Sequence, residues 1–194
     1  MSRRKANGSS DDVLAQLPPL RRYARALTRD ESAAEDLVHD ALVRAYERRS
    51  TFRLGGNLRT WLFSILHNTF VDGRRQHMAE QRRKGGTAWL AETALPPNQE
   101  SSVRLGQVRR AFLSLPEEQR AVLHLVAIEG LAYQEAATAL GIPIGTLMSR
   151  LGRARAALRA FEESGAATLT TPALPAPSER PARPNLRVVG GPVD

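Results

Sequence analysis

The sequence predicts an all-α chain: two small helical domains joined by a flexible linker, the second domain a helix-turn-helix. Three observations carry this. Apolar residues recur at the helical period through each long segment. Gly141-Ile142-Pro143 stops one such pattern, and a second opens near Gly145-Thr146, as in a helix-turn-helix. Residues 84–104 hold Gly-Gly and Pro-Pro pairs without a sustained period, which reads as a linker. An aromatic content of 5% favours small cores over one large one.

Composition narrows the function. The 194 residues carry a net charge of +8, and almost all of the 28 basic side chains are arginine. Arginine suits bidentate phosphate and base contacts, so a polyanionic partner fits. The absence of cysteine excludes disulfides, thiol catalysis and Cys-ligated zinc. No apolar run approaches a membrane span and no signal-peptide core follows Met1, so a cytoplasmic protein without membrane insertion is expected. His39, His67, His77 and His124 are scattered, with no nucleophile motif, metal spacing or phosphate loop. Neither an enzyme nor a cofactor is expected.

In chain order, residues 1–10 read as a disordered start, and residues 11–83 as the first domain. Asp11 or Asp12 can cap a helix with Val13, Leu14, Leu17, Leu20, Tyr23, Ala24 and Leu27 on its apolar side, which Pro18-Pro19 should kink or split. The second helix, near 31–49, buries Ala34, Leu37, Val38, Ala41, Leu42 and Ala45. Asp36, Asp40, Val43 and Glu47 share its opposite face. That face is either a solvated surface or a docking site for a basic protein. The loop 50–57 turns at Gly55-Gly56, and Asn57 caps a third helix over 58–83. Its buried stripe is Leu58, Leu62, Ile65, Leu66, Thr69 and Phe70; Trp61, Ser64, Asn68, Val71 and Arg75 lie opposite. Aromatic and amide groups beside a basic helix end suit single-stranded nucleic acid, although Trp61 can equally pack on a neighbouring helix.

The second domain spans 105–163. A helix over 105–114 precedes one opened by Leu115-Pro116-Glu117-Glu118, where proline is tolerated in the first turn. Val122, Leu123, Leu125, Val126 and Ile128 supply its core, and Gly130 ends it. In the last helix, Leu147, Leu151, Ala154, Leu158 and Phe161 should face inward. Met148, Ser149, Gly152, Arg153 and Ala156 face outward, with Arg150, Arg155 and Arg159 on the flanks. Such a helix fits a DNA major groove, or is simply a solvated basic face. Residues 164–194 read as a disordered Ala/Pro-rich tail.

Four stretches in this order carry a resemblance: Ala34–Tyr46 (AEDLVHDALVRAY), Gly55–Gln76 (GGNLRTWLFSILHNTFVDGRRQ), Leu115–Val126 (LPEEQRAVLHLV) and Tyr133–Arg155 (YQEAATALGIPIGTLMSRLGRAR). Together they resemble an extracytoplasmic-function (ECF) sigma factor of the sigma-70 family. Leu17–Asp30 and the Gly55 stretch also look like the alphaproteobacterial general-stress subgroup. The resemblance implies a promoter −10 domain and a −35 domain that bind core RNA polymerase and initiate transcription of stress-response genes. It implies that Asp36, Asp40, Val43 and Glu47 bind the β′ clamp helices. The β flap is a further expected polymerase contact. Thr51, Asn57, Trp61, Asn68, Asp72, Arg74 and Arg75 would meet −10 DNA. Thr146, Ser149, Arg150, Arg153 and Arg155 would meet the −35 element. An anti-sigma factor is the expected restraint. Met148 and Gly152 depart from the family, which more often has a basic and a larger residue there. Two competing functions are a stand-alone helix-turn-helix regulator and a sigma-like decoy for an anti-sigma factor. The first leaves the N-terminal domain unexplained. The second is expected to need a receiver domain, for which the tail leaves no room.

Overall fold

The computed structural model describes residues 12–52, 56–83 and 101–169, with side chains described over 12–52, 56–83 and 105–163. Readings made for residues 1–11, 53–55, 84–100 and 170–194 lie outside the described residues. The rest is helical, with no strand among the described residues. The N-terminal module holds α1 (Leu17–Thr28), α2 (Glu31–Glu47), a 3-10 turn (Arg49–Thr51) and α3 (Leu58–Arg83). The C-terminal module holds α4 (Ser101–Ser114), α5 (Glu117–Leu123), a π-helical turn (His124–Ile128), α6 (Tyr133–Leu140) and α7 (Ile144–Leu169). Ser101–Arg104, read as linker, are the first turn of α4, and α7 runs to Leu169, into the stretch read as tail.

Local chemistry fixes the boundaries. Residues 12–14 form one helical turn, and α1 restarts with its prolines in the first turn, where no N–H is needed. Arg29 ends α1 in the left-handed region at φ 62°, and its N–H reaches the Arg25 carbonyl. The Asp30 carboxylate caps α2 by accepting from the Ala33 N–H at 2.7 Å. Asn57 caps α3 through the Thr60 N–H at 3.1 Å. Gly141, at φ 63°, closes α6, and the Ile142 N–H reaches back to the Ala137 carbonyl. The last helix starts at Ile144, slightly earlier than Gly145-Thr146, because the Pro143 carbonyl already accepts from the Leu147 N–H.

The two modules are packed together. α1 lies against α2, α3 and α5, and α3 also packs against α6 of the C-terminal module. One contiguous apolar core runs from Leu20, Tyr23, Leu62 and Phe63 to Leu125, Ala136 and Leu147. This explains why α3 buries more than the single stripe expected. Phe63 is fully buried, edge-on to Tyr23 with ring centroids 5.4 Å apart. Three assignments to an apolar side fail. Leu14 is 59% exposed, Ile128 52% and Phe161 38%. Leu14 belongs to the separate turn at residues 12–14, before the helix restarts at Leu17. For Ile128 the cause is the π turn, in which the Glu129 N–H bonds the His124 carbonyl five residues back. The extra residue turns Ile128 out and Glu129 in. Phe161 sits on the distal part of α7, beyond Leu147, Leu151 and Ala154, which are buried in the module.

Candidate functional site

Three surfaces hold the residues singled out by sequence. The first is the outer face of α2, where Asp36, Asp40, Val43 and Glu47 are all exposed. Val43 is 45% exposed between these carboxylates. None of the three enters an ion pair among the described residues. The acidic side chain turned towards α1, Glu35, is by contrast held by Arg21 at 2.9 Å. The face therefore presents unpaired negative charge around an apolar contact, a suitable mate for a basic protein surface.

The second surface is a groove of about 450 Å³ at the start of α3. Thr51, Phe52, Asn57 and Trp61 line it from the N-terminal module. The Trp61 and Phe52 rings lie 5.2 Å apart, so Trp61 both packs on a neighbour and walls the groove. Phe52 was not singled out from the sequence; its position beside Thr51 in a Gly-containing loop was the available signal. Gln134, Glu135 and Thr138 of α6 form the facing wall. The Asn57 amide donates to Glu135 Oε1 at 2.7 Å. Beyond the groove, Asn68 is exposed and Asp72 pairs with Arg44 at 3.3 Å. Arg74 and Arg75 line a separate cleft of about 240 Å³ with His67, Glu117, Glu118 and Arg150. There Arg74 pairs with Glu117, and Arg150 pairs with Glu118 at 2.7 Å. A residue expected to face one DNA element thus shares a cleft with residues expected to face the other. Burial, and then the Arg150 charge, lower the His67 pKa to about 4. His67 Nδ1 and the Tyr23 hydroxyl share a hydrogen bond at 3.1 Å, and burial raises the pKa of that phenol.

The third surface is α7. Ser149, Arg153 and Arg155 are exposed and Thr146 is half-buried near the helix start. The Arg153 guanidinium donates to Ser149 Oγ at 3.1 Å, which steadies it along the helix. Gly152 lies between them, and a Cβ built there meets nothing within 4 Å. The exposed side of this helix is therefore mixed, polar at Ser149 and Arg153 and apolar at Met148, which is 54% exposed, with open space over Gly152.

Sequence reasoning missed a fourth set, which joins the modules. The Glu129 side chain has no exposed surface. It accepts from Arg22 through two nitrogens at 3.0 and 2.9 Å, and from Arg59 at 2.7 Å. His124 Nε2 lies 3.2 Å away. Burial alone would raise the Glu129 pKa, but the hydrogen bonds and charges of His124 and Arg22 outweigh it and bring it to about 2. Arg120 is also buried. It donates to Ala26 and Leu27 carbonyls at the end of α1, and to Leu113 and Leu115 carbonyls. Burial, then the Arg29 charge, lower its pKa to about 10, so it stays cationic at neutral pH. No sequence signal marks Glu129, since its inward turn depends on the π turn. Among the described residues no three His, Cys, Asp or Glu side chains cluster to hold a metal. No described helix is long and apolar enough to cross a membrane.

Comparison with known proteins agrees with this layout. Residues 13–67 match the model for the Sigma2 domain of PhyR, and residues 105–158 match Sigma-70, region 4. The chain is 37% identical over 151 residues to the ECF RNA polymerase sigma factor EcfG of Rhodopseudomonas palustris (strain TIE-1), covering 78% of this chain and 83% of that one. It is 36% identical over 136 residues to the ECF RNA polymerase sigma-E factor of Escherichia coli (strain K12), covering 63% and 70%. Among solved structures, the sigma factor RpoE from Bartonella quintana, in complex with the anti-sigma factor NepR, superposes with a TM-score of 0.71. That chain is 34% identical, over 80% of this chain and 97% of its own length.

Proposed function

We infer function from family: the chain belongs to the ECF RNA polymerase sigma factors, and it is a promoter-specificity subunit for RNA polymerase. One observation carries the assignment of surfaces. The N-terminal module bears both an unpaired acidic face and the aromatic–amide wall of a groove, while the other bears a helix-turn-helix whose last helix exposes Ser149, Arg153 and Arg155. In this reading Asp36, Asp40, Val43 and Glu47 dock on the β′ clamp helices of core polymerase, and the C-terminal module reaches the β flap. Thr51, Asn57 and Trp61 receive an unstacked −10 base, with Phe52 completing the aromatic wall. Asn68, Asp72, Arg74 and Arg75 follow the melted strand. Thr146, Ser149, Arg150, Arg153 and Arg155 meet the −35 duplex, where arginine can read guanine or hold phosphate.

Such a protein is regulatory and carries out no chemistry of its own. The cytoplasm is its place of action, and stress-response genes are its targets. An anti-sigma partner of the NepR kind is supported by the relative of known structure, which was solved bound to one. The match of residues 13–67 to the Sigma2 domain of PhyR favours a second reading, a decoy for that partner. The open, arginine-flanked side of α7 supports the promoter reading instead. Run-off transcription with purified core polymerase and a promoter library decides between them. A sigma factor yields promoter-dependent transcripts. A chain that leaves core polymerase silent on every template is not one.

A further inference from the structure

The outer side of α7 divides lengthwise into two rows. Ile144, Met148 and Gly152 recur every four residues and so stack along one row. All three are exposed and none carries charge. Ser149 and Arg153 form the neighbouring row, with the Arg153 guanidinium folded back onto Ser149 Oγ at 3.1 Å. Arg150, on the inner flank, is drawn into the cleft between the modules by Glu118 at 2.7 Å. Arg153 is therefore the guanidinium that lies beside the uncharged row.

Met148 is the long, adaptable side chain of that row, unbranched and with a polarizable thioether. One turn on, Gly152 adds no Cβ, and the space over it is open. The helix can come close to a partner there, and the thioether then reaches furthest. A single exposed apolar side chain is ordinary. Its place beside Arg153 gives this one a reading role. A helical turn of about 5.4 Å spans roughly one to two base-pair steps of about 3.4 Å. A major groove that offers a guanine edge to Arg153 therefore sets a neighbouring base pair against Met148. Methionine has no donor and only a weak acceptor, so it cannot read the polar pattern of a base edge. The major groove offers one apolar group that it can read, the C5-methyl of thymine.

We propose that Met148 is a specificity-determining residue that selects thymine: its side chain packs on the C5-methyl of a −35 thymine, within about two base pairs of a guanine held by Arg153. This rests on the −35 reading of α7. The contact takes two apolar surfaces out of water, and the burial of one methyl group corresponds to about a three- to fourfold change in affinity. Cytosine at the same place lacks the methyl and turns an amino donor towards a thioether that accepts only weakly. An uncharged side chain leaves attraction to phosphate with the arginines, so Met148 contributes sequence preference rather than salt-dependent affinity.

The test uses the full chain assembled with core polymerase on a promoter selected from the library. Each −35 thymine, on either strand, is replaced in turn by deoxyuridine, which keeps the base pair and removes only the methyl group. Holoenzyme binding should fall about threefold at one thymine and stay level at the others. Met148→Ala should bind the thymine template more weakly by the same factor and no longer distinguish it from the deoxyuridine template. Met148 lies outside the core, so this substitution tests a contact rather than the fold. Met148→Leu, which restores an apolar reach, should recover the preference. A wild-type holoenzyme indifferent to every thymine methyl would overturn the proposal, as would a Met148→Ala holoenzyme that keeps the wild-type preference for thymine. Scrambling the −35 element separates the two ideas. If scrambling leaves wild-type binding unchanged, the −35 reading fails and the role of Met148 with it. If scrambling abolishes binding but Met148→Ala keeps the thymine preference, α7 still reads the duplex and only the role of Met148 is wrong.

Discussion

At the scale of single residues, Glu129 has the largest consequence. In the folded chain its pKa is lowered from the ordinary 4.5 to about 2. A depressed carboxyl contributes stability that is fully present above about pH 4.5 and is lost as pH falls towards 2. The size is about 3 kcal/mol, since each pKa unit corresponds to ~1.4 kcal/mol. In urea denaturation at pH 6 and pH 3, wild type and Glu129→Gln should therefore lose different amounts of stability between the two pH values. Wild type should lose about 2 kcal/mol more than the variant over that interval. Equal losses would remove Glu129 as the titrating group. Neither Glu129 nor Arg120 was legible in the sequence as buried. A lone Glu before glycine reads as a helix end, and Arg120 in a Glu-rich first turn reads as surface charge. Their burial follows from the neighbouring module, which a local pattern does not contain. Asn57 and Gly141 were legible, because capping is chemistry between residues close in the chain.

At the scale of elements, helical periodicity located every long helix, and it failed where a helix departs from 3.6 residues per turn or meets two neighbours. The π turn at His124–Ile128 reverses the expected sides of Ile128 and Glu129. On α3 the burial of Phe63 reflects a second partner helix. The outer face of α2 follows the expected period, so its function can be probed without disturbing the core. Asp36→Arg with Asp40→Arg should weaken core polymerase binding at least a hundredfold while leaving the thermal midpoint within a few degrees. This follows because exposed substitutions alter stability by only about 0.5 kcal/mol each. Retained affinity, measured by competition for core enzyme, would move the docking surface elsewhere. The last helix offers an opposed pair of effects at Gly152. Its backbone is not in the positive-φ region and there is room for a methyl group. Gly152→Ala should therefore stabilise the chain by about 0.5–1 kcal/mol. If the glycine is present so that the backbone can approach base edges, the same change should reduce −35-dependent transcription. A rise in thermal midpoint with no loss of −35 dependence would place Gly152 off the DNA face.

At the scale of the whole molecule, the sequence supports two modules, but how they meet is decided by packing across them. The Tyr23 ring illustrates the point. It lies on α1, packs edge-on to Phe63 of α3, and sits 5.3 Å from the His124 ring of the other module. A core shared in this way couples the stabilities of both halves, because parting them exposes side chains buried by each. Wild type should then unfold in urea as one unit. In a Trp89→Phe background, Trp61 fluorescence reports the N-terminal module and far-UV circular dichroism reports all helices. The two signals should trace one transition. Adding Arg22→Ala and Arg59→Ala removes the charged contacts but leaves each module's own helices intact, so the shared unit should weaken before either module does. The two traces should separate, with a shallower slope for each because less surface is exposed per step. Separated traces already in the parent would mean that the modules are not coupled in solution. Coincident traces in this double variant would assign the coupling to the apolar seam around Tyr23 rather than to the ion cluster.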